Sequence, residues 1–479
     1  MTQRTGGIDL ATLEELVADG TIDTVVVAFA DLQGRLLGKR VVGRFFLDHV
    51  VGPQTEPGSN EQGSVQGRSG EGIEACDYLL TVDVDMNVLE GFQYASWEGG
   101  YGDFRAIPDL ATLCVTPWLE ATALVLCDVV DVTTGNPVEV SPRQILRRQL
   151  ARAADLGLTV MCGSELEFFA HNASYDELAA AGYATMADTA TSWFSLDYHV
   201  LQTTKDEPLL RAIRNGMLGA GLPVEFSKGE AAPGQHELNL RYSDALRMAD
   251  NHAIYKNGAK EIADSLGKAI TFMAKPRIDQ PGSSCHIHTS IWSADGEQPL
   301  SPSSDDPHAM SDTMRAWLGG ILDRSVELSL CFAPYVNSYR RYQPGSWAPT
   351  AVVWSPDNRT CGLRLVGHGA GLRVESRIPG ADCNPYIAFA ALIAAGLDGI
   401  ERGLDCGEPF AGNAYAAENL PRIPWNLPDA ISAFRDSAFA AEALGPDVAF
   451  HLLHAAEEEW RAFNGIVTEW EIRRNFERI

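Results

Sequence analysis

Positive charge is scarce in this sequence of 479 residues: 37 lysine and arginine side chains stand against 64 aspartates and glutamates, a net charge of −27. Binding a nucleic-acid backbone needs a basic patch that releases counterions, and no lysine or arginine run long enough to build one occurs. Nucleic acid is therefore excluded as a partner, and small cations are attracted instead. Long hydrophobic runs are missing as well. The longest, Ile387–Leu397, is alanine-rich and too short to span a bilayer core of about 30 Å. The opening MTQRTGGIDLATLEELVADG lacks a basic start followed by an apolar stretch, so it is not a secretory signal, and the reading is a cytoplasmic protein without a membrane partner. Nine cysteines, an odd number with no C-x-x-C pair, fit a reduced compartment and packing roles better than disulfides or a zinc ribbon. No G-x-x-x-x-G-K-[ST] phosphate loop is present. Gly367-His368-Gly369-Ala370-Gly371 stands between two strand-like segments and not before a helix, which predicts a hairpin turn and not a dinucleotide fingerprint.

What remains is an ordinary globular composition, 45% apolar and 21% charged, in a chain long enough for about two or three domains. Thr24 to Ala30 reads as a strand, Asp31-Leu32-Gln33-Gly34-Arg35 as a tight turn, and a second strand starts near Leu36. Gly52 to Gly72 and Ser293 to Asp312 are too poor in large apolar side chains to be anything but loops. Near Pro117-Trp118 the character changes, which sets an expected boundary between an N-terminal unit, 1–118, and a larger unit, 119–479. A strand from Ala121 to Val130 follows, then a helix opened by Ser141-Pro142. Helical stretches around 143–156, 243–265, 310–330 and 385–402 alternate with segments of period-two polarity, which predicts an α+β fold on an antiparallel sheet.

Four of those segments put charge on one face, because residues i and i+2 of a strand project to the same side. In Gly163-Ser164-Glu165-Leu166-Glu167-Phe168, Glu165 and Glu167 point together away from Leu166 and Phe168. His286 and His288 share a face opposite Ile287, and Arg373, Glu375 and Arg377 align opposite Val374 and Ile378. Glu230 and Glu237 flank Ala232-Pro233-Gly234-Gln235, so a hairpin would bring both together. Each segment alone also reads as an exposed polar face. Together they gather five glutamates, whose mutual burial requires pKa shifts or cations. Carboxylates with a single imidazole suit Mg²⁺ or Mn²⁺ better than zinc, and two ions fit five carboxylates better than one. Arg341, Arg359, Arg364, Arg373 and Arg377 lie in one stretch, and arginine forks match carboxylate and phosphoryl oxygens.

These segments, in their order and spacing, resemble the glutamine synthetase family. The resemblance runs from DLQGRLLGKR to NFERI, through GSELEFF, GQHELNL, GSSCHIHTSIW, NSYRRYQPGSWAP and RVESRIPGADCNPYIAFAA. It implies a small N-terminal β-grasp-like domain and a catalytic domain whose antiparallel sheet forms half of an inter-subunit active-site barrel, in a homo-oligomer of two hexameric rings. It further implies that Glu165, His286 and Glu375 hold a metal beside the nucleotide phosphates, and Glu167, Glu230 and Glu237 one nearer glutamate. Arg341, Arg377 and the backbone of Gly282 would grip glutamate. Arg359 would stabilise the transferring phosphoryl group, and Glu225, His288, Ser290, Arg364 and Arg373 would contact ATP. The implied reaction passes the ATP γ-phosphoryl to glutamate, and an amine then displaces it to give an amide.

Two departures bear on that amine. Glutamine-forming members carry P-G-x-E-A-P after the arginine loop, whereas here Pro344-Gly345-Ser346-Trp347-Ala348-Pro349 places an indole where the acid belongs. The ammonium-binding aspartate of the family has no clean counterpart, and Glu90 is the nearest acid to take the amine proton. Pro281 also replaces a substrate-binding asparagine. Activation residues intact and ammonium residues altered point to a γ-glutamylamide ligase acting on a small primary amine. The rival expectations are a true glutamine synthetase, a metal-dependent hydrolase of the H-x-H type, and a non-catalytic family member.

Overall fold

The computed structural model describes residues 7–53, 68–195 and 197–479. Most of the loop expected between Gly52 and Gly72, namely 54–67, lies outside the described residues.

The first hairpin forms where the sequence places it. Thr24–Ala30 (β1) pairs with Leu36–Val42 (β2) from Ala30↔Leu36 onward, leaving 31–35 as the turn. The buried Asp31 carboxylate closes that turn by accepting from the backbone N–H groups of Gln33 (3.0 Å) and Arg35 (2.8 Å) and from Arg35 Nε (2.7 Å). Gly34 adopts φ +77°, and a Cβ there would meet Asn384 at 3.2 Å, so the turn rests directly on the residue that caps the helix Pro385–Arg402. Asn384 Nδ2 donates to the carbonyls of Asp31 (3.2 Å) and Leu32 (3.0 Å), which anchors the hairpin to the larger unit.

Ile73–Cys76 (β3), Asp103–Pro108 (β4), Cys114–Val115 (β5) and Thr122–Asp131 (β6) complete a six-stranded sheet in the order β2-β1-β6-β4-β3, with β5 also on β6. β6 runs parallel to β1 and antiparallel to β4. It is thus an inner strand of the N-terminal sheet, although it lies beyond residue 118.

The second sheet has nine strands: Leu158–His171 (β7), Val224–Gly229 (β8), Gln235–Leu240 (β9), Ser243–Asp244 (β10), Ala269–Thr271 (β11), Cys285–Ser293 (β12), Trp354–Pro356 (β13), Leu363–Val366 (β14) and Arg373–Ser376 (β15). Its main order is β13-β14-β15-β12-β7-β9-β8, antiparallel at every step except β13 with β14. Val366 pairs with Arg373, so the glycine-rich Gly367–Gly371 segment is the turn of a hairpin.

The expected helices appear as Pro142–Asp155, Ala245–Ser265, Asp312–Arg324 and Pro385–Arg402. Ser141 stands at the N-cap but its hydroxyl caps nothing; Pro142 alone marks the start. The apolar run Ile387–Leu397 is buried on every side as the central helix of the core. It touches Asp312–Arg324 backbone to backbone, since a Cβ on Gly399 would lie 2.1 Å from the Ala316 carbonyl and one on Gly320 2.1 Å from that of Ala395. Among the described residues no helix is long and apolar enough to cross a membrane.

One buried cation joins the two units. Arg143 donates to Asp250 (3.0 Å), Asp128 (2.5 Å) and Asp109 (2.7 Å), and Tyr386 Oη also donates to Asp250 (2.8 Å). Asp109 and Asp128 belong to the N-terminal sheet region, Asp250 to the helix beneath the second sheet. Removing the guanidinium leaves Asp250 buried without its counter-charge. Arg143→Met should therefore cost about 3–5 kcal/mol of stability, read as a lowered urea midpoint; a change below about 1 kcal/mol would show that water replaces the pair.

Candidate active site

The site is a consequence of strand register. β7 pairs with β12 so that Glu165 lies opposite His286, and with β9 so that Glu167 lies opposite Glu237. β12 pairs with β15 to set His288 against Glu375, and β14 places Arg364 beside Glu375. Even-numbered residues of β12 therefore share a face with odd-numbered residues of β7, while Cys285, Ile287 and Thr289 point into the core, where Thr289 Oγ1 accepts from Trp317 Nε1 at 3.1 Å. The 230–235 turn, with Gly234 at φ +74°, folds Glu230 back towards Glu237.

Two triads result, Glu165 with His286 and Glu375, and Glu167 with Glu230 and Glu237; within each, one candidate ligand atom per residue lies within 4.8 Å of the others. In the first, His286 Nδ1 is 3.3 Å from Glu165 and 3.5 Å from Glu375, and His288 Nε2 is 2.9 Å from Glu165. Glu375 also accepts from Arg377 (2.5 Å) and Arg364 (2.8 Å). Burial opposes the Glu165 charge, yet His288 and His286 hold its carboxyl well below the usual range. Glu375 is likewise held down to about 2 against its burial, by His286 and Arg377. Burial, aided by Arg377, lowers His286 and keeps the imidazole in the neutral form that ligates metals.

The second triad is electrostatically opposite. Burial pushes Glu167 up to about 8, with the Glu230 carboxylate adding to it and Ser284 opposing. Burial pushes Glu237 up to about 9, and the charges of Glu165 and Glu230 push the same way. Glu167 accepts from the Ser284 N–H (2.8 Å), the Ser284 hydroxyl (2.5 Å) and Gln235 Nε2 (3.1 Å), and Glu237 accepts from Asn239 Nδ2 (2.7 Å). Lys228 Nζ bonds Glu230 and lies 3.9 Å from Glu237, and the Arg341 guanidinium acts on Glu167. Three carboxylates, two of them holding protons far above their usual range, form an oxygen donor set that fits a hard divalent cation.

Both triads open into one cavity of about 410 Å³. Gly282, Arg341, Trp347, Arg359, Arg364 and Arg377 line it too. Arg341 is buried, with Nη2 donating to the carbonyls of Arg377 (3.2 Å), Pro379 (2.8 Å) and Ile378. A Cβ on Gly282 would lie 2.8 Å from Arg341 Cγ, so only glycine fits there. Arg359 has no hydrogen bond or ion pair among the described residues. Trp347 has φ +67°, rare for a bulky residue; it lines the cavity, is 59% exposed as a residue, and its carbonyl accepts from Arg377 at 3.4 Å. A second cavity of about 250 Å³ adjoins the first across Glu165 and holds Glu225, His288, Ser290 and Arg373 beside Tyr242 and Trp292. The sequence-derived residues therefore fall into two adjoining pockets. Glu90 does not join them; it is exposed, and its carbonyl accepts from His454 Nε2 at 2.6 Å on the helix Pro446–Asn464.

Lys228, Phe226, Asp197 and Tyr198 are cavity residues that lie outside the sequence reading. Lys228 shares the strand parity of Glu230 and was legible on that ground. Asp197 and Tyr198 sit in irregular backbone, where no periodicity marks them.

The mixed α+β fold thus brings two clusters of possible metal ligands, two glutamates with a histidine and three glutamates, to one arginine-lined cavity on its second sheet. A model of the glutamine synthetase catalytic domain matches residues 139–475, and the chain belongs to the glutamine synthetase family. It is 48% identical over 479 residues to gamma-glutamylethanolamide synthetase GlnA4 of Streptomyces coelicolor, covering 100% of this chain and 98% of that one. It is 33% identical over 470 residues to glutamate–isopropylamine ligase of a Pseudomonas species, covering 98% of each. A solved structure of a GmaS/ADP complex superposes with a TM-score of 0.79 at 28% identity, over 97% of this chain and 99% of that one.

The contrast between the triads is measurable. Glu167 and Glu237 bind protons in the folded, metal-free protein that the unfolded chain releases above about pH 4.5, so their contribution to stability falls as pH rises through 8–9. A bound cation needs them ionised. Mg²⁺ binding at pH 7 should release one to two protons and tighten by up to about 10-fold per pH unit per proton from pH 6 to 9, whereas the Glu165 triad adds none. Calorimetry in two buffers of different ionisation enthalpy counts them; zero release would contradict the assignment.

Proposed function

We propose that this protein is a cytoplasmic, ATP-dependent ligase that joins the γ-carboxylate of glutamate to a small primary amine. One observation carries the reading: both acidic triads and the arginines share one cavity, while Trp347 occupies the wall where an ammonium-using site would carry an acid. The full-length similarity to two enzymes named as glutamate–amine ligases supports it.

In this reading Glu165, His286 and Glu375 hold one Mg²⁺ or Mn²⁺ and Glu167, Glu230 and Glu237 the other. Such ions supply neutralisation of phosphate charge. The chain's own groups do the rest. Arg341, Arg377 and the Gly282 backbone orient glutamate with its γ-carboxylate towards the junction of the two cavities. His288, Ser290, Arg373 and Glu225 hold ATP in the adjoining cavity, and Arg364 reaches it from the main one. Arg359, without a partner among the described residues, neutralises the phosphoryl group in flight. The γ-glutamyl phosphate formed is then open to the amine. An amine with a pKa near that of lysine is only about one part in a thousand uncharged at pH 7, so a carboxylate must take its proton. The reading includes assembly as two hexameric rings, in which a neighbouring copy's N-terminal unit closes the cavity.

The test is incubation with glutamate, ATP, Mg²⁺ and an amine panel that includes ammonium, with glutamyl conjugates identified by mass. A γ-glutamylamide of a small primary amine is the expected product. Turnover of ammonium as fast as every primary amine would make the protein a glutamine synthetase, and hydrolysis without nucleotide would make it a hydrolase. Trp347→Glu should raise ammonium use relative to the preferred amine by about 10-fold or more, since it restores a charge that binds NH₄⁺ and removes an apolar wall. An unchanged ratio would show that Trp347 does not select the nucleophile.

A further inference from the structure

Six carboxylates line the main cavity: Glu165, Glu167, Asp197, Glu230, Glu237 and Glu375. Five are committed. Glu165 faces two histidines, Glu167 accepts from Ser284 and Gln235, Glu230 pairs with Lys228, Glu237 accepts from Asn239, and Glu375 pairs with Arg364 and Arg377. Asp197 alone has no hydrogen bond or ion pair among the described residues, and it belongs to neither triad.

Its surroundings differ from theirs as well. The next residue, Tyr198, ties this segment to the end of β8 through its N–H to the Gly229 carbonyl (3.3 Å), one residue before Glu230. The Tyr198 ring takes Lys228 Nζ at 4.6 Å from its centroid, which shows that its face accepts an ammonium group. Phe226 and Trp347 line the same cavity, and Tyr198, Phe226 and Trp347 are 69%, 50% and 59% exposed. A carboxylate without a partner among the described residues, beside the exposed rings of Phe226 and Trp347 and a tyrosine ring that already receives one ammonium group, is the chemistry that recognises an ammonium group carrying an organic substituent.

We propose that Asp197 binds the ammonium group of the amine substrate and takes its proton, with Tyr198, Phe226 and Trp347 forming the wall for its substituent. This inference rests on the ligase reading above and names the residue that selects the second substrate. One N–H proton of the ammonium passes to the Asp197 carboxylate, and the freed lone pair forms the C–N bond at the γ-carbonyl carbon of γ-glutamyl phosphate. The C–O bond to phosphate breaks with its electron pair on the departing phosphate, which takes the second N–H proton. The aromatic wall favours a short alkyl or hydroxyalkyl amine over ammonium, which leaves those faces unfilled.

Asp197→Asn keeps the shape and removes the charge. Hydroxylamine is the discriminating probe, because it is uncharged at mildly alkaline pH and needs no proton removed before attack. In the full-length enzyme, Asp197→Asn should lower kcat/KM for ethanolamine by about 100-fold or more while γ-glutamyl hydroxamate formation stays within about 3-fold of the unsubstituted protein. Ethanolamine turnover retained in Asp197→Asn would overturn the proposal, as would equal loss with both nucleophiles, since the residue would then act before the amine arrives. A large loss with ethanolamine in Glu90→Gln and none in Asp197→Asn would also overturn it, in favour of an acid supplied across a subunit boundary. If the unsubstituted protein makes neither conjugate, it is the ligase reading that fails.

Discussion

Repulsion among carboxylates gathered on one face of a sheet is the constraint around which this protein is organised. Register alone puts Glu165, Glu167, Glu237 and Glu375 within reach of one another, and no strand can slip by one residue without exchanging acids for core side chains. The protein answers the repulsion in two ways. Around Glu165 and Glu375 it supplies histidines and arginines, and those acids stay charged. Around Glu167 and Glu237 neutral donors prevail, Lys228 and Arg341 do not outweigh burial and mutual repulsion, and those acids hold protons. The triad with an imidazole and the triad of carboxylates alone thereby differ in charge before any cation binds.

The same face divides space. Glu165 lines both the arginine-rich cavity and the smaller one flanked by Tyr242 and Trp292. Phe226 and Asn239 line both cavities as well, so the two spaces meet along Glu165, Phe226 and Asn239. Support comes from below, where the helix Pro385–Arg402 fills the core, and from the N-terminal unit, whose hairpin rests on Asn384. Arg143 and its three aspartates lock that junction.

Much of this was legible in the residues. Period-two alternation marked the acid and histidine strands, Gly234 and the Gly367–Gly371 run marked turns, and Pro142 marked a helix start. These signals are local, because a strand's two faces and a turn's φ are decided within a few residues. What escaped was non-local or aperiodic. β6 sits between β1 and β4 through pairings roughly 100 and 20 residues apart in sequence, so nothing in its own composition assigns it to the N-terminal sheet. The helix Val200–Gly219 carries Pro208 in its interior, which obscures its period. Asp197 and Tyr198 lie in irregular backbone just before that helix, where spacing carries no directional information.

The amino-acid sequence by itself determined which side chains share a strand face, that too many of them are acids, and that shifted pKa values or cations must answer their repulsion. Only the tertiary structure decided which acid neutralises against which partner, that Glu90 stands apart from the cavity, and that Asp197 has no partner within it among the described residues. The reason is physical: parity is a property of the covalent chain, whereas pairing and burial depend on which distant strands and loops meet across space.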